Sequence, residues 1–434
     1  MSEFDILFIT WGIMIHDGNH WGGIITSFFS YLVVHSGRKA FTNTKTVVID
    51  SLGMTPEFAG ILDAQFMLAY ALGLVTLGTL GDRYNPTGLL ALSLVGMAFL
   101  QLLFSELCVV GVSSYPLGQF FLSSVWIADG LVQSMAWPCC VKIVQASLGG
   151  RNSSTLFSFW ACNGIFGNIT CSVIASIVMS IDPGVTGFRL VFLITSVCNL
   201  SLTYFASRLK HKETPRGDSR LIEYSEPPIM SVNECIKRRG VLDYSLCHAC
   251  IKGVAYAMFF WLPYYLVNEH SVSPSTAAGL SIVYDLATLI GGPFCGFLVE
   301  RTQKPSSVIA VFALLASGPQ FFINSGHSAI LMESDSIPTI VIINIILAGF
   351  LVGGALNVLS AAVCAKLGGS NSTSTVTGVI DGAGSLGASL MQICIPLIRV
   401  NNGWDSVFGS LGCMLVLSAF TLARIIKDEW NLFV

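Results

Sequence analysis

Charge is scarce in this chain. Asp, Glu, Lys and Arg supply 11% of its 434 residues while hydrophobic types supply 53%, against roughly one-quarter charged in a soluble domain. That balance excludes a water-exposed globule; the net charge of −3 says little, because placement matters more than the sum, and no nucleic-acid partner is expected. Catalytic signatures are lacking too: there is no Walker lysine motif, no HExxH and no nucleophile elbow, and the seven histidines form no cluster. The intramembrane acids are scattered rather than paired, so enzyme chemistry is not expected, and neither is a cofactor. A basic n-region is also missing, because Glu3 and Asp5 stand in its place. We therefore expect no cleaved signal peptide, with the first span serving as the insertion signal.

Long apolar runs are abundant. They bracket residues 21–41, 58–80, 87–108, 116–147, 156–180, 187–208, 242–267, 274–298, 306–324, 338–362, 374–398 and 404–426, each long enough to cross about 30 Å of hydrocarbon as a helix. Alternating barrel-strand patterning is absent. The expected fold is an all-α membrane protein of twelve transmembrane helices. Loop cations such as Arg83, Arg151, Lys237, Arg301, Lys366 and Arg424 gather on one side, against Lys45, Arg189 and Arg399 opposite. By the positive-inside rule both termini and the loop 209–240 are then cytosolic.

Thirteen cysteines are present, nearly all in or beside apolar runs, and they read as small hydrophobes. Cys247-His-Ala-Cys250 spells a single CxxC with no second ligand pair, and no metal is expected. Gly382-Ala-Gly384-Ser-Leu-Gly387 spells GxGxxG inside a span, where small residues serve close helix packing.

The strongest organisational signal is an internal repeat. Gly73, Gly78, Asp82 and Arg83 match Gly291, Gly296, Glu300 and Arg301 at one constant offset of 218 residues, close to half the chain. Two pseudo-symmetric six-helix bundles follow, 1–208 and 241–434, joined by a cytosolic linker 209–240, with a substrate site expected between them near the midplane. Arg38 and Lys252 lie within spans, where each charge costs roughly 2.5–3.5 kcal/mol on an insertion scale and marks a functional site. Under the offset they fall four residues out of register, one cation from each half. Two cations suit a phosphate monoester of about −1.5 to −2 charge, Arg offering a bidentate fork and Lys a point charge. His35 and His248 share a helix face with Arg38 and Lys252 respectively; each either donates to substrate oxygens or is satisfied by a neighbouring helix.

The motifs resemble a family. Gly78-Thr-Leu-Gly81-Asp82-Arg83-Tyr-Asn85 is similar to the loop between the second and third helices of the major facilitator superfamily. Tyr31-Leu-Val-Val-His35-Ser-Gly-Arg38-Lys39-Ala-Phe41 resembles the first-helix arginine-lysine motif of organophosphate:phosphate antiporters, and Gly130-Leu-Val-Gln133-Ser-Met-Ala-Trp137-Pro138 and Gly167-Asn168 look like their fourth and fifth helices. Lys252, Phe260-Trp261-Leu262-Pro263, Tyr284-Asp285 and Gly378-Val-Ile-Asp381-Gly382 resemble the eukaryotic sugar-phosphate exchangers, solute carrier family 37.

The resemblance implies exchange of a sugar phosphate such as glucose 6-phosphate for inorganic phosphate by a monomeric carrier, most often in the endoplasmic reticulum membrane. Arg38 and Lys252 would then grip the phosphoryl group. Tyr31, Trp137, Asn168, Tyr256 and Asp381 are expected to line the cavity, and Lys142 is either a third pathway cation or snorkels to the interface. Asp82, Arg83, Glu300 and Arg301 are expected as gating ion pairs, or else as solvated loop charges. The rival readings are a proton-coupled carrier of another organic anion and a transporter-like sensor.

The cation asymmetry carries its own test. Single cysteines introduced into 209–240 or after Lys427 should react with impermeant maleimide from the cytosolic side only, and labelling from the opposite side would reverse the topology.

Overall fold

The computed structural model describes residues 21–148, 153–182, 184–208, 229–270, 274–323 and 338–431, and every regular element among them is a helix. In chain order these are α1 (Trp21–Leu52), α2 (Pro56–Thr76), α3 (Leu80–Arg83), α4 (Pro86–Val109), α5 (Pro116–Gln133), α6 (Ala136–Ser147), α7 (Ser154–Ala161), α8 (Asn163–Ile181) and α9 (Val185–Arg208). The second part of the chain gives α10 (Val232–Lys237), α11 (Val241–His270), α12 (Pro274–Thr302), α13 (Pro305–Phe322), α14 (Thr339–Asn357), α15 (Cys364–Gly368), α16 (Thr373–Thr421) and α17 (Ala423–Asn431). Among the described residues, all twelve apolar runs fall mainly on helix. Nine helical stretches among the described residues pass as membrane spans on length and composition, fewer than the twelve expected. One reason is that α16 is a pair of helices continuous through Gly403, whose φ of 75° marks the kink.

Local chemistry sets the helix starts. The side chains of Thr55, Asn85 and Ser153 accept from the backbone N–H groups of Phe58, Thr87 and Leu156, satisfying donors that have no intrahelical partner. Ser231 and Glu234 close a capping box on α10, so part of the expected linker is a short helix; residues 209–228 of it lie outside the described residues.

The bundle inverts the polarity of a soluble protein. Phe99, Phe120 and Ile290 are each 65% exposed, as side chains facing lipid must be, while Asp129, Gln133, Gln101, Lys252 and Asp381 are buried. Polar groups inside such a bundle need partners, and finding those partners fixes where the helices lie.

Helices from the two parts of the chain meet directly. α2 packs along α16, and α7 packs against α12. A Cβ added at Gly378 would overlap the Leu74 carbonyl oxygen, and one at Gly78 would lie 3.1 Å from Gly378 Cα, so the α2–α16 crossing is backbone against backbone, the approach that small residues permit. Between α14 and α15 the chain winds as a π-helix over Val358–Val363, a feature common at functional sites. Gly378→Leu is expected to wedge this crossing apart and destabilise the protein by about 1–3 kcal/mol, the cost of overpacking, read as a lowered unfolding midpoint in detergent.

Candidate anion site and gate

α1, α2, α5, α6, α8, α11, α12, α14 and α16 converge on a cavity of about 180 Å³ lined by Tyr31, His35, Arg38, Trp137, Asn168, Lys252, Tyr256 and Asp381 among others. Eight of the ten residues expected to bind substrate therefore meet in one place. Arg38 from α1 and Lys252 from α11 approach a single ring, Tyr70 of α2: the guanidinium carbon lies 4.5 Å from its centroid and the ammonium nitrogen 6.0 Å. Each contact is a cation–π interaction worth roughly 0.5–2 kcal/mol. Tyr70 escapes motif reading because a lone tyrosine in an apolar span looks like packing.

Arg38 Nε donates to Gln133 Oε1 at 3.2 Å. Gln133 Nε2 in turn donates to Asp129 Oδ2 at 2.8 Å, and Gln101 Nε2 donates to the same oxygen at 3.3 Å. Asp129 thus balances Arg38 at one remove, through an amide. Arg38 Nη2 is buried and has no hydrogen-bond partner among the described residues, which leaves one arm of the fork for a ligand oxygen. An intramembrane acid was the available signal for Asp129, yet nothing in the sequence ties it to Arg38.

Lys252 is held differently. Its Nζ donates to Asp381 Oδ1 at 2.7 Å and to Ser385 Oγ at 2.9 Å, and His248 Nε2 donates to the same Asp381 oxygen at 3.0 Å. Asp381 is the internal anion of Lys252, a pairing that the positions of the two residues in the sequence do not announce. His248 stands behind that pair rather than on the cavity wall. Gly384 makes the arrangement possible, since a Cβ there would overlap the His248 ring and crowd the Lys252 stem at 2.9 Å.

The remaining wall is aromatic and polar. Tyr31 Oη and Tyr70 Oη are 3.1 Å apart, the Tyr31 ring packs on Trp137 at 4.6 Å, and Trp137 Nε1 donates to the carbonyl of Ser360 in the π-helix at 3.3 Å. His35 Nδ1 and Asn168 Oδ1 are 3.3 Å apart.

Lys142 does not reach the cavity. Its Nζ pairs with Asp82 Oδ1 at 2.6 Å, because α6 carries it beside α3 rather than toward the midplane. Asp82 also accepts from the backbone N–H groups of Ser374 at 3.1 Å and Thr375 at 2.6 Å, the first turn of α16. Glu300, at the end of α12, accepts from Ser153 Oγ at 3.0 Å and Thr155 N at 3.2 Å, the start of α7. Each acid caps a helix N-terminus in the other part of the chain, where the macrodipole favours negative charge. The two acids thus bind helix ends, and Arg83 and Arg301 lie exposed at the ends of their helices.

The chain matches the family model described as Major Facilitator Superfamily over residues 27–391, and it belongs to that family. Among its relatives, the sugar phosphate exchanger 3 of Mus musculus is 30% identical, the alignment covering 95% of this chain and 94% of the relative. A glucose-6-phosphate exchanger of the same species is 28% identical over 86% of this chain and 80% of its own. Among solved structures, a proton:xylose symporter superposes with a TM-score of 0.73 at 12% identity over 94% of this chain and 96% of the other, and an outward-facing bacterial homologue of ferroportin with 0.68 at 13% over 94% and 99%. These share the fold.

The geometry separates the two cations by experiment. Lys252→Ala strands Asp381 without its cation and is expected to cost about 3–5 kcal/mol, lowering the unfolding midpoint, whereas Lys252→Ala combined with Asp381→Asn should recover much of that loss while transport stays abolished. Arg38→Lys keeps the charge but forfeits the fork, so it should fold normally and transport at least tenfold more slowly. Wild-type transport in either lysine or arginine variant would remove the site.

Proposed function

We propose that this chain is a secondary transporter that exchanges a sugar phosphate, such as glucose 6-phosphate, for inorganic phosphate by alternating access. The observation that carries this reading is the placement of Arg38 and Lys252, one from each repeat, 4.5 and 6.0 Å from the Tyr70 ring in a single cavity. The relatives named as sugar phosphate and glucose-6-phosphate exchangers support it. In this reading residues 1–208 and 241–434 are two six-helix bundles that rock about the cavity, crossing the membrane twelve times. The caps made by Asp82 and Glu300 hold the cytosolic end closed, the termini are cytosolic, and the carrier works as a monomer, in the endoplasmic reticulum membrane. It is a carrier and not an enzyme.

Coupling follows from charge. With Lys252 neutralised by Asp381, the uncompensated arm is that of Arg38, whose acid lies behind two amide hydrogen bonds. Occluding that arm without an anion costs free energy in a low-dielectric cavity, so the empty carrier crosses slowly and the loaded one crosses readily. Liposomes preloaded with phosphate should take up labelled phosphate or glucose 6-phosphate at least tenfold faster than liposomes loaded with chloride. Uptake that is equal in both, or driven by a proton gradient alone, would overturn exchange in favour of a proton-coupled carrier.

A further inference from the structure

The cavity has a second pole that the anion clamp does not use. Lys39, next to Arg38 on α1, projects to the α11 side, where its Nζ sits 3.6 Å over the Phe259 ring, and it interacts electrostatically with Asp285 of α12. Asp285, Tyr284 and Asn357 line the same cavity as Arg38 and Lys252. Tyr284 and Asn357 are 5% and 7% exposed, and Tyr284 Oη and Asn357 Nδ2 are buried with no hydrogen-bond partner among the described residues. Buried donors of this kind cost about 1–3 kcal/mol each when left unmade, so their presence on a cavity wall points to a ligand that completes them.

The charge of the pole says what kind of ligand. Lys39 and Asp285 line this pole with opposite signs, so a second anion is drawn by one and repelled by the other and gains little there. A neutral group rich in hydroxyls gains more: the carboxylate accepts from O–H groups, while the ammonium, the Asn357 amide and the Tyr284 hydroxyl donate to hydroxyl oxygens. Inorganic phosphate, held at Arg38, has no atoms to extend into it.

We propose that Lys39, Tyr284, Asp285 and Asn357 form a polyol subsite that binds the hydroxylated carbon skeleton of an organic phosphate and sets its preference over inorganic phosphate. This rests on the exchange reading and names the part of the cavity that reads the organic half of the substrate. A site built to hydrogen-bond hydroxyls discriminates strongly against a ligand that lacks them.

The test is a ratio. Inhibition constants for unlabelled glucose 6-phosphate and for unlabelled phosphate are measured against labelled phosphate uptake into phosphate-loaded liposomes, for the unmodified protein, Asp285→Asn and Tyr284→Phe. In Asp285→Asn the ratio should shift at least tenfold toward phosphate, and in Tyr284→Phe several-fold, with unfolding midpoints near that of the unmodified protein. Both constants rising together, or neither moving, would overturn the subsite; if Asp285→Asn fails to insert, the near-isosteric Tyr284→Phe decides alone. Should the unmodified protein show no phosphate exchange, the antiport reading falls instead, and competition between glucose 6-phosphate and phosphate for binding to detergent-purified protein then judges the subsite in the same variants.

Discussion

A positive charge in the middle of an apolar bundle has to be answered by something, and most of the interior here is the answer to two of them. For Lys252 the answer is direct: Asp381 Oδ1 and Ser385 Oγ lie 2.7 and 2.9 Å from its Nζ, and His248 Nε2 lies 3.0 Å from the same Asp381 oxygen. For Arg38 it is indirect: an aromatic face, one amide and a carboxylate behind it. The difference matters, because a buried pair already satisfied gains little from a ligand, whereas an unfilled guanidinium arm gains a full charge-assisted hydrogen bond. In the exchange reading proposed above, the asymmetry makes Arg38 the point of attraction for an anion and Lys252 a partner that the anion shares with Asp381.

How much of this was legible in the sequence depends on range. The helices and the cavity's two cations were readable because burial leaves a local trace: an apolar run of fixed length, and a charge inside it that needs a reason. The repeat was readable because its spacing is fixed. Partners were not. Asp381 was recognised as a cavity residue but not as the counter-ion of Lys252, 129 positions away, and Lys142 was left between the pathway and the interface, with no sign that α6 turns it to Asp82, 60 positions away. Periodicity says which face a side chain occupies on its own helix and nothing about which helix lies opposite. Tyr70 and Gln133 were missed for the same reason, since only the convergence of α1, α2 and α5 shows that they touch Arg38.

The gate shows the internal repeat at the level of contacts. Asp82 and Glu300 are equivalent under the 218-residue offset, and each reaches the first turn of a helix in the other part of the chain, α16 for one and α7 for the other. A carboxylate at a helix N-terminus contributes about 0.3–2 kcal/mol depending on burial, so two reciprocal caps, with Lys142 steadying the buried Asp82, amount to a few kcal/mol. A two-state carrier needs a latch of this size. A much stronger one would trap a single state, because a ligand shifts the balance only by its differential affinity, and moving a population from 1:99 to 99:1 already takes about 5.5 kcal/mol. The small-residue crossing at Gly78 and Gly378 lies next to the Asp82 cap, and there Ser374 Oγ also donates to the Gly78 carbonyl at 2.6 Å. On this account the free energy of closing one end is set by two carboxylates, and the free energy of occluding the cavity by one guanidinium. Binding an anion at Arg38 can therefore tip the first balance only through the second.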